Sequence, residues 1–483
     1  MTLSSVFYFL FFKIKFMKTE SDFKNVKQPQ KLSTLKVESL KLIHPNAAGI
    51  DVGSRTHWVA VGQDLVSDVR TFGVFTKDHI AMIDFFKERN ITHIAMECTG
   101  SYWQTLYTAL EDAGFKVQLT TSKTIKNPEG KTDHKDCRWL QKLHSFGLLK
   151  SAFLPESEIG KLRQYCRLRA NMVKDATRAT NRMQKVMQLM NIRLEVVLSD
   201  ITGRSGMNII KAIIDGERNA TNLSLLVANN VRKSQEDIAS ALLGNWKEEL
   251  LYELTYLFKS YNSFQEDIAE VDKEIEKQLQ KMAGPKEKTI KIIGKKKQKG
   301  NPKFDITSLS YQYYNVNLTE IDSIGDSTIM TLISEVGKDI TKFPSAKAFT
   351  NWLRLAPRHK ITGGKIIGSR SPKGKNTLAV AFRNAANTIG QRKDGSFKAF
   401  FNRLAYKGGR GAAITGTARK LATVVWTMIH KQEAFIPMNE VVYNEKVKNN
   451  VINNMKKKMQ KLGISLEELA LVNENKNLNF AVG

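Results

Sequence analysis

The chain has 483 residues, enough for about two to four domains whose cores need no disulfide or metal for stability. Lysine and arginine number 75 against 47 aspartate and glutamate, a net charge of +28. This excess favours a nucleic-acid partner over a merely basic soluble protein, because basic side chains gain affinity by releasing phosphate counterions. Three cysteines are too few for a disulfide framework or a zinc site, and they fit a reducing cytoplasm. With a nucleic-acid partner, we expect a cytoplasmic, nucleoid-associated protein.

The N-terminal segment predicts no folded element. The apolar run from Val6 to Phe12 is too short to span a bilayer, and no later run is long and apolar enough to do so. Residues 17–45 are polar and rich in lysine. We therefore expect residues 1–45 to form a disordered basic arm, and we expect no membrane partner.

Residues 46–155 alternate between strand-like and helix-like patterns, which predicts an α/β domain with a mixed sheet. Apolar runs and amphipathic periods give the following elements in order: strand Ala48 to Val61, strand Val69 to Phe75, helix Asp78 to Arg89, strand Thr92 to Cys98, helix Tyr102 to Ala113, strand Lys116 to Thr121, and helices from Asp133.

Residues 156–283 are predicted to be entirely helical. The last helix carries a heptad seam of Leu250, Leu254, Leu257, Tyr261, Phe264, Ile268, Val271 and Ile275. The pattern leaves two alternatives open. The helix packs inside the chain, against a helix from Glu158 to Asn191, or it forms a coiled coil with a second copy.

A basic linker is predicted at residues 284–303, and a second, mostly helical domain at residues 304–434. In that domain Ile321 to Gly325 resembles a turn that offers backbone N–H groups to phosphate before a helix. The stretch from Pro357 to Asn376 is rich in glycine and basic residues and is predicted to be a loop. Residues 435–483 are predicted to form a basic helical tail.

Four carboxylates stand out in the α/β region. Asp51 and Glu97 each end an apolar strand-like run, and Asp133 and Asp136 lie one helical turn apart. Converging carboxylates hold hard cations such as Mg²⁺ or Mn²⁺ in two-metal nuclease centres. Each residue alone also fits a turn or a helix cap, and Asp133 fits an N-cap. The set of four favours a metal site, with Cys98 and Cys137 beside it as small buried packing residues.

The motifs around these residues resemble those of the DEDD-type transposases of the insertion sequence 110 family, from about Asn46 to about Leu462. The matching N-terminal segments are Gly49 to Ser54, Met96 to Trp103, Lys131 to Asp136, Leu198 to Gly203, and Gly244 to Trp246. The resemblance implies a RuvC-like, RNase H-type fold. It also implies that Asp51, Glu97, Asp133 and Asp136 are catalytic and hold the metal.

A second set of motifs matches the family's C-terminal domain: Ile321 to Gly325, Ile333 to Gly337, Leu355 to Arg358, Lys360 to Lys365, and Ala418 to Leu421. The family has a serine nucleophile before the glycine pair, where this chain has Thr362. We expect Thr362 to be the nucleophile. Two alternatives stay open: Ser369 or Ser371 in the same loop takes its place, or this copy of the transposase is impaired in joining DNA strands. The predicted nucleic-acid contacts around it are Arg358, Lys360, Lys365, Arg370 and Lys373.

The resemblance implies a site-specific DNA recombinase that moves an insertion sequence, with the carboxylate centre and the hydroxyl acting on one strand. It further implies a homo-oligomer, a dimer or a tetramer, and guidance by a noncoding RNA from the element. Two rival functions stay open. One is a RuvC- or RNase H-like nuclease that does not join strands, and the other is an inactive transposase copy that only binds nucleic acid.

Overall fold

The structure is a computed structural model. It describes residues 41–62, 68–98, 100–121, 132–154, 157–228, 231–284, 299–372, 374, 376–437 and 439–463. Most of the predicted arm, the linker residues 285–298 and the end of the tail lie outside the described residues. The chain divides into two compact units, Met1–Leu154 and Pro155–Gly483.

The first unit is built on a five-stranded sheet of order β3-β2-β1-β4-β5. Its strands are β1 (Ala47–Val52), β2 (His57–Val61), β3 (Asp68–Phe72), β4 (His93–Glu97) and β5 (Lys116–Thr120). Strands β1 to β3 pair antiparallel, whereas β1, β4 and β5 pair parallel. The predicted mixed sheet is confirmed, and its strand order agrees with the RNase H-type arrangement implied by the family resemblance.

Helices cover both faces of this sheet. Helices α1 (Thr76–Glu88) and α2 (Trp103–Asp112) share one apolar core with the strands. Helix α3 (Asp133–Ser145) lies on the other face, where Leu140 packs with Ala95. Buried parallel strands flanked by helices on both faces explain the short, nearly continuous apolar runs of β1 and β4.

The strand predicted from Ala48 to Val61 is in fact two strands. A turn at residues 53–56, closed by a hydrogen bond from Gly53 N to Thr56 O of 3.2 Å, reverses the chain between β1 and β2. The prediction missed this turn because the apolar residues on either side of it read as one run, although Gly53 and Ser54 are turn formers.

The second unit is mostly helical. Its helices are α4 (Ser157–Leu189), α5 (Leu194–Val197), α6 (Arg204–Ile214), α7 (Ala220–Ser224), α8 (Gln235–Ala241), α9 (Glu248–Ala283), α10 (Ile306–Tyr314), α11 (Asp326–Val336), α12 (Ala346–Trp352), α13 (Thr377–Gln391), α14 (Lys398–Lys431) and α15 (Glu440–Leu462). Short 3₁₀ turns at Leu318–Glu320 and Ile340–Lys342 precede α11 and α12. Helix α14 is interrupted at Gly409, whose φ of 77° is non-helical.

The heptad helix α9 packs inside the chain, antiparallel to α4. Its seam residues Leu254, Leu257 and Tyr261 are buried in one core with Met183 and other residues of α4. Near the middle of the pair, the buried Arg169 and Asp272 form an ion pair, with Nε and Oδ1 2.5 Å apart. The seam is therefore covered by α4, which decides between the two alternatives left open by the pattern.

The segment predicted as a loop from Pro357 to Asn376 contains a two-stranded antiparallel hairpin instead. Strand β6 (Arg358–Thr362) pairs with β7 (Lys365–Arg370) across the turn Gly363-Gly364. Both turn glycines have positive φ, 54° and 75°, which side chains with a Cβ rarely adopt. The loop prediction was wrong because the many glycines and basic residues obscured a two-residue hairpin turn between β-branched residues.

No helix in the described ranges is both long and apolar enough to cross a membrane.

Candidate active site

Two of the four predicted carboxylates lie on adjacent strands at the same level. Ile50 of β1 pairs with Met96 of β4 in parallel register. Asp51 and Glu97 each follow by one residue, so they are neighbours across these two strands. Both side chains are half-buried. The sheet therefore brings the first two carboxylates together at the carboxyl ends of its central strands.

Asp51 and Glu97 also point to the same face of the sheet. Successive side chains on a strand alternate between faces. Ile50 and Met96 are completely buried in the core formed with α1 and α2. The residues that follow them, Asp51 and Glu97, consequently face the opposite side, which is the side covered by α3.

Helix α3 approaches this face unusually closely at Gly49. A Cβ at Gly49 would lie 2.5 Å from the carbonyl oxygen of Cys137 and 2.8 Å from Cα of Gln141. The Gln141 side chain donates to the carbonyl oxygen of Gly62 at 2.9 Å, which ties the middle of the helix to the end of β2. Only glycine leaves room for this contact between the strand and the helix backbone.

The direction of α3 places its N-terminus at the carboxylate edge. His144, in its last turn, lies beside His93 at the beginning of β4, with ring centroids 6.3 Å apart. In its first turn, the ring of His134 contacts the edge of Trp58, the residue paired with Asp51. The helix thus runs antiparallel to β1 and β4, and its first turn lies over the ends of these strands.

Asp133 and Asp136 lie in that first turn. Thr132 is the N-cap, and its hydroxyl oxygen accepts from Lys135 N at 3.4 Å. Asp133 is therefore the first helical residue and not the cap. Asp133 and Asp136 precede Cys137 and Leu140, which face the sheet, by one turn each. All four predicted carboxylates are consequently brought to one edge of the unit.

Two electrostatic effects act at this edge, one from the N-terminus of α3 and one from the Asp51 carboxylate. The N-terminus of α3 carries partial positive charge, which favours carboxylates in its first turn. Burial, together with the nearby Asp51 carboxylate, raises the pKa of the Cys137 thiol to about 12. This thiol therefore stays protonated at neutral pH and is a packing residue, as expected. Cys98, the other cysteine beside a carboxylate, is only half-buried.

The donor set suits a hard divalent cation, because carboxylate oxygens are the ligands that magnesium and manganese prefer. In the described part of the chain, however, no three His, Cys, Asp or Glu side chains are arranged closely enough to hold a metal ion. The four carboxylates share an edge and a face without closing around one point.

The second predicted centre, Thr362, lies at the end of the hairpin. Thr362 pairs with Lys365 immediately before and after the turn, and both side chains are exposed. Residues that pair directly across strands share a face, with Cβ atoms about 4.5–5.5 Å apart. The Lys365 ammonium and the Thr362 hydroxyl are therefore on the same side of the hairpin.

Three further predicted contacts share that face. Arg358 and Lys360 alternate with Thr362 along β6, and Arg370 pairs with Arg358. We call this surface, made of Arg358, Lys360, Thr362, Lys365 and Arg370, the basic face. The structure thus assembles the predicted hydroxyl and four of the five predicted basic residues. The fifth, Lys373, lies outside the described residues.

The hairpin also separates Thr362 from one of its proposed substitutes. Ser369 pairs with His359, which alternates with the residues of the basic face, so Ser369 points to the opposite side. Ser371 follows the end of β7. Of the three hydroxyls, Thr362 alone is on the basic face next to the turn, and β-branched residues are favoured in strands.

A group of histidines at the far end of α3 was missed by sequence reasoning. His44 stacks on His93 with centroids 4.4 Å apart, and His144 lies 5.0 Å from His44. His144 is buried, and neither ring nitrogen has a hydrogen-bond partner among the described residues. Burial lowers its pKa to about 4, assisted by the charges of the other two rings. The three residues are far apart in sequence, which gave no signal of this cluster.

Comparison with known proteins finds matches to two regions of the chain. Residues 48–192 match a family model described as a transposase, of the DEDD type of IS110. Residues 315–402 match a model described as transposase of the IS116/IS110/IS902 family. These matches define the class, a DNA transposase of the recombinase type. Both matched regions are similar to insertion-sequence transposases of the IS110/IS116/IS902 family, as the sequence motifs predicted.

The solved structures that match include T. thermophilus RuvC in complex with a Holliday junction substrate. It is 12% identical, and the match covers 22% of this chain and 98% of that chain with a TM-score of 0.19. The assignment of the fold rests on the strand order of the chain itself and not on this likeness. Comparison with curated proteins found no match.

Proposed function

We propose that this transposase cuts and rejoins DNA with two chemical centres, a metal-binding carboxylate quartet in the first unit and a threonine nucleophile in the second. The observation that carries the proposal is that Asp51 and Glu97 end adjacent strands at the edge of the sheet over which the first turn of α3, with Asp133 and Asp136, lies. Carboxylate oxygens are the donors that Mg²⁺ and Mn²⁺ prefer, so an edge that gathers four of them suits such a cation.

Asp51, Glu97, Asp133 and Asp136 would hold Mg²⁺ or Mn²⁺, because their oxygen donors fit these ions. When bound, a pair of such ions activates the attacking oxygen and stabilises the leaving oxygen of a phosphodiester. The strands fix Asp51 and Glu97, while α3 presents Asp133 and Asp136 from its first turn. The close approach of the helix backbone to Gly49 helps to set the distance of this turn from β1.

Thr362 supplies the nucleophile. Its hydroxyl oxygen attacks phosphorus, a Thr–O–P bond forms, the bond from phosphorus to the sugar oxygen breaks, and the hydroxyl proton passes to solvent or a base. The departing sugar oxygen takes up a proton. The sugar hydroxyl of the strand to be joined later attacks the phosphorus of the adduct, the new phosphodiester bond forms, the Thr–O–P bond breaks, and the threonine oxygen regains a proton. Energy of the DNA bond is conserved in the adduct, which permits rejoining and distinguishes this reaction from hydrolysis.

The basic face supports this reaction by holding the phosphate. Lys365 is paired with Thr362 and lies where it can neutralise charge on the attacked group. Arg358, Lys360 and Arg370 extend the same positive surface along the hairpin and contact neighbouring phosphates. These contacts position the strand without reading its sequence.

The family resemblance implies that a noncoding RNA made by the element recognises the DNA sequence. A guide RNA transfers recognition to base pairing, and the protein then needs only a basic surface for the duplex backbone. By the same resemblance the working form is a homo-oligomer. The heptad seam is occupied by α4, so assembly uses another surface.

The test is recombination between a donor plasmid with the element ends and a target plasmid, with a parallel assay for a denaturant-stable protein–DNA adduct. Asp51→Ala is expected to lower cutting by about 10³-fold or more, because metal chemistry supplies several kcal/mol. Thr362→Ala is expected to abolish the adduct, and Thr362→Ser to retain it. Asp112→Ala, an exposed carboxylate at the end of α2, is the matched control and is expected to recombine like wild type.

The outcomes separate the rival functions. Cutting without an adduct, unchanged by Thr362→Ala, identifies a nuclease that does not join strands. Binding without any metal-dependent cutting identifies an inactive copy. If the adduct persists in Thr362→Ala but is lost in Ser371→Ala, the nucleophile is Ser371 and not Thr362.

A further inference from the structure

The hairpin has a second face that the proposed chemistry does not use. Ile361 and Ile366 pair across the strands on the side opposite to the basic face. Ile367 is the extra residue of a bulge in β7, between the pairs formed by Ile366 and Gly368. Their exposed fractions are 64%, 59% and 68%. We call Ile361 and Ile366, with Ile367 next to them at the bulge, the isoleucine face.

Three large apolar side chains are rarely left together in water without a binding role. A two-stranded hairpin is also only marginally stable by itself, and polar or charged residues serve better on an exposed sheet. Both strands are exposed along nearly their whole length, so the protein's own core does not require isoleucine here. The side chains therefore fit a partner that contacts the projecting hairpin.

The basic face on the other side identifies the chemistry of that partner. Lys360, Thr362 and Lys365 lie back to back with the isoleucine face, only one strand thickness away. A ligand that meets both faces must combine phosphates with an apolar interior. Nucleic acid does so, with charge on the backbone and stacked bases inside. A purely apolar protein partner would leave the opposite cations unpaired.

We propose that the isoleucine face is a wedge that enters the stacked bases of the DNA beside the bond attacked by Thr362. The inference rests on the proposed function, since it locates the wedge at the hydroxyl centre. Apolar side chains that insert between base steps unstack the bases and kink the duplex. Flexible pyrimidine–purine steps are the easiest to open.

The wedge provides access to the scissile phosphate. In a stacked duplex the phosphates are held at regular spacing, and a short threonine side chain must approach one of them along the line of the breaking bond. Opening the adjacent step frees the backbone to turn toward Thr362. This arrangement assigns positioning to the isoleucines and chemistry to the hydroxyl on the opposite side of the same strand pair.

The test measures unstacking directly with permanganate, which oxidises thymines that have left the stack. The full chain is mixed with a duplex spanning the junction of the element and its flanking DNA, together with a transcript of the element's noncoding end. The variant combines Ile361→Thr, Ile366→Thr and Ile367→Thr, which keeps β-branched side chains and strand propensity while removing apolar surface. A second variant replaces all three by valine.

Wild type is expected to give reactive thymines next to the cut. The threonine variant is expected to lose this reactivity and to cut at least about tenfold more slowly, because apolar contacts then no longer offset the free-energy cost of unstacking the bases. The valine variant is expected to restore both. Ile80→Thr on α1, where the side chain is 55% exposed, is the matched control and should behave like wild type.

Different outcomes would refute the wedge and the threonine nucleophile. Thr362→Ala should abolish the adduct while leaving the thymines reactive. Undiminished cutting and reactivity in the threonine variant would overturn the wedge while leaving the nucleophile intact. A threonine variant that dissociates an oligomer while the thymines stay reactive would assign the isoleucine face to a second copy of the chain instead. Wild type that neither cuts nor unstacks DNA would overturn both.

Discussion

Replacing Gly49 by alanine tests whether the distance between α3 and β1 controls the carboxylate quartet. The new Cβ would lie 2.5 Å from the carbonyl oxygen of Cys137, whereas ordinary contacts of this kind begin at 3.4 Å. The obstacle is helix backbone, so no side chain can turn aside. The helix must move outward as a unit, and its first turn carries Asp133 and Asp136 with it.

The size of the effect follows from this overlap. The helix must move by roughly 1 Å, and a misplacement of that size at a catalytic centre costs about 10²-fold in rate. The same overpacking destabilises the first unit by about 1–3 kcal/mol. Gly49→Ala is therefore expected to remain folded at low temperature while losing most of its metal-dependent cutting.

The assay combines metal-dependent DNA cutting with urea unfolding followed by circular dichroism. Gly160→Ala on the exposed side of α4 is the control, because its Cβ meets no atom within 4 Å and alanine is favoured in helices. Cutting by Gly49→Ala at the wild-type rate would refute the close approach of α3 to β1, or its importance for the quartet.

Three further predictions concern stability and binding. Asp272→Ala leaves the Arg169 guanidinium buried without its carboxylate and is expected to cost about 3–5 kcal/mol in the free energy of unfolding, measured by urea titration. His144 has a pKa lowered to about 4 from 6.5. The unfolded chain therefore binds a proton between these pH values that the folded chain does not. The contribution of His144 to stability is full above pH 6.5 and falls toward pH 4, by at most about 3 kcal/mol, and His144→Leu is expected to remove this part of the pH dependence. Lys365→Ala is expected to weaken DNA binding and to reduce the slope of log affinity against log salt by about 0.9, one phosphate contact.

Each of these three predictions has a control variant or an outcome that would contradict it. Glu253→Ala breaks an exposed ion pair with Arg182 between the same two helices, and we expect it to cost less than about 1 kcal/mol. An equal loss in Asp272→Ala would contradict the burial argument. His430→Gln, at an exposed histidine, should leave the pH dependence of stability unchanged. If Lys360→Ala alters the salt slope and Lys365→Ala does not, the phosphate is held farther from Thr362 than the hairpin register indicates.

Much of the first unit could be read from sequence because its elements are short and their patterns are local. The strands at Glu97 and Thr120 and helix α2 end within one residue of their predicted limits, and α3 begins at the predicted Asp133. The turn between β1 and β2 was missed because apolar residues flank it on both sides. The hairpin around Thr362 was missed although its two glycines are a hairpin signal, because basic residues dominate the segment.

The sequence by itself determined which chemical groups are available: an excess of cationic side chains, four carboxylates at strand and helix ends, and a threonine before a glycine pair. These are properties of residue type and local spacing. Only the tertiary structure decided that Asp51 and Glu97 face α3, that α4 fills the heptad seam, and that Thr362 shares one face with lysines and arginines while isoleucines occupy the other. Such choices depend on strand register and on contacts between residues distant in sequence, which no local pattern contains.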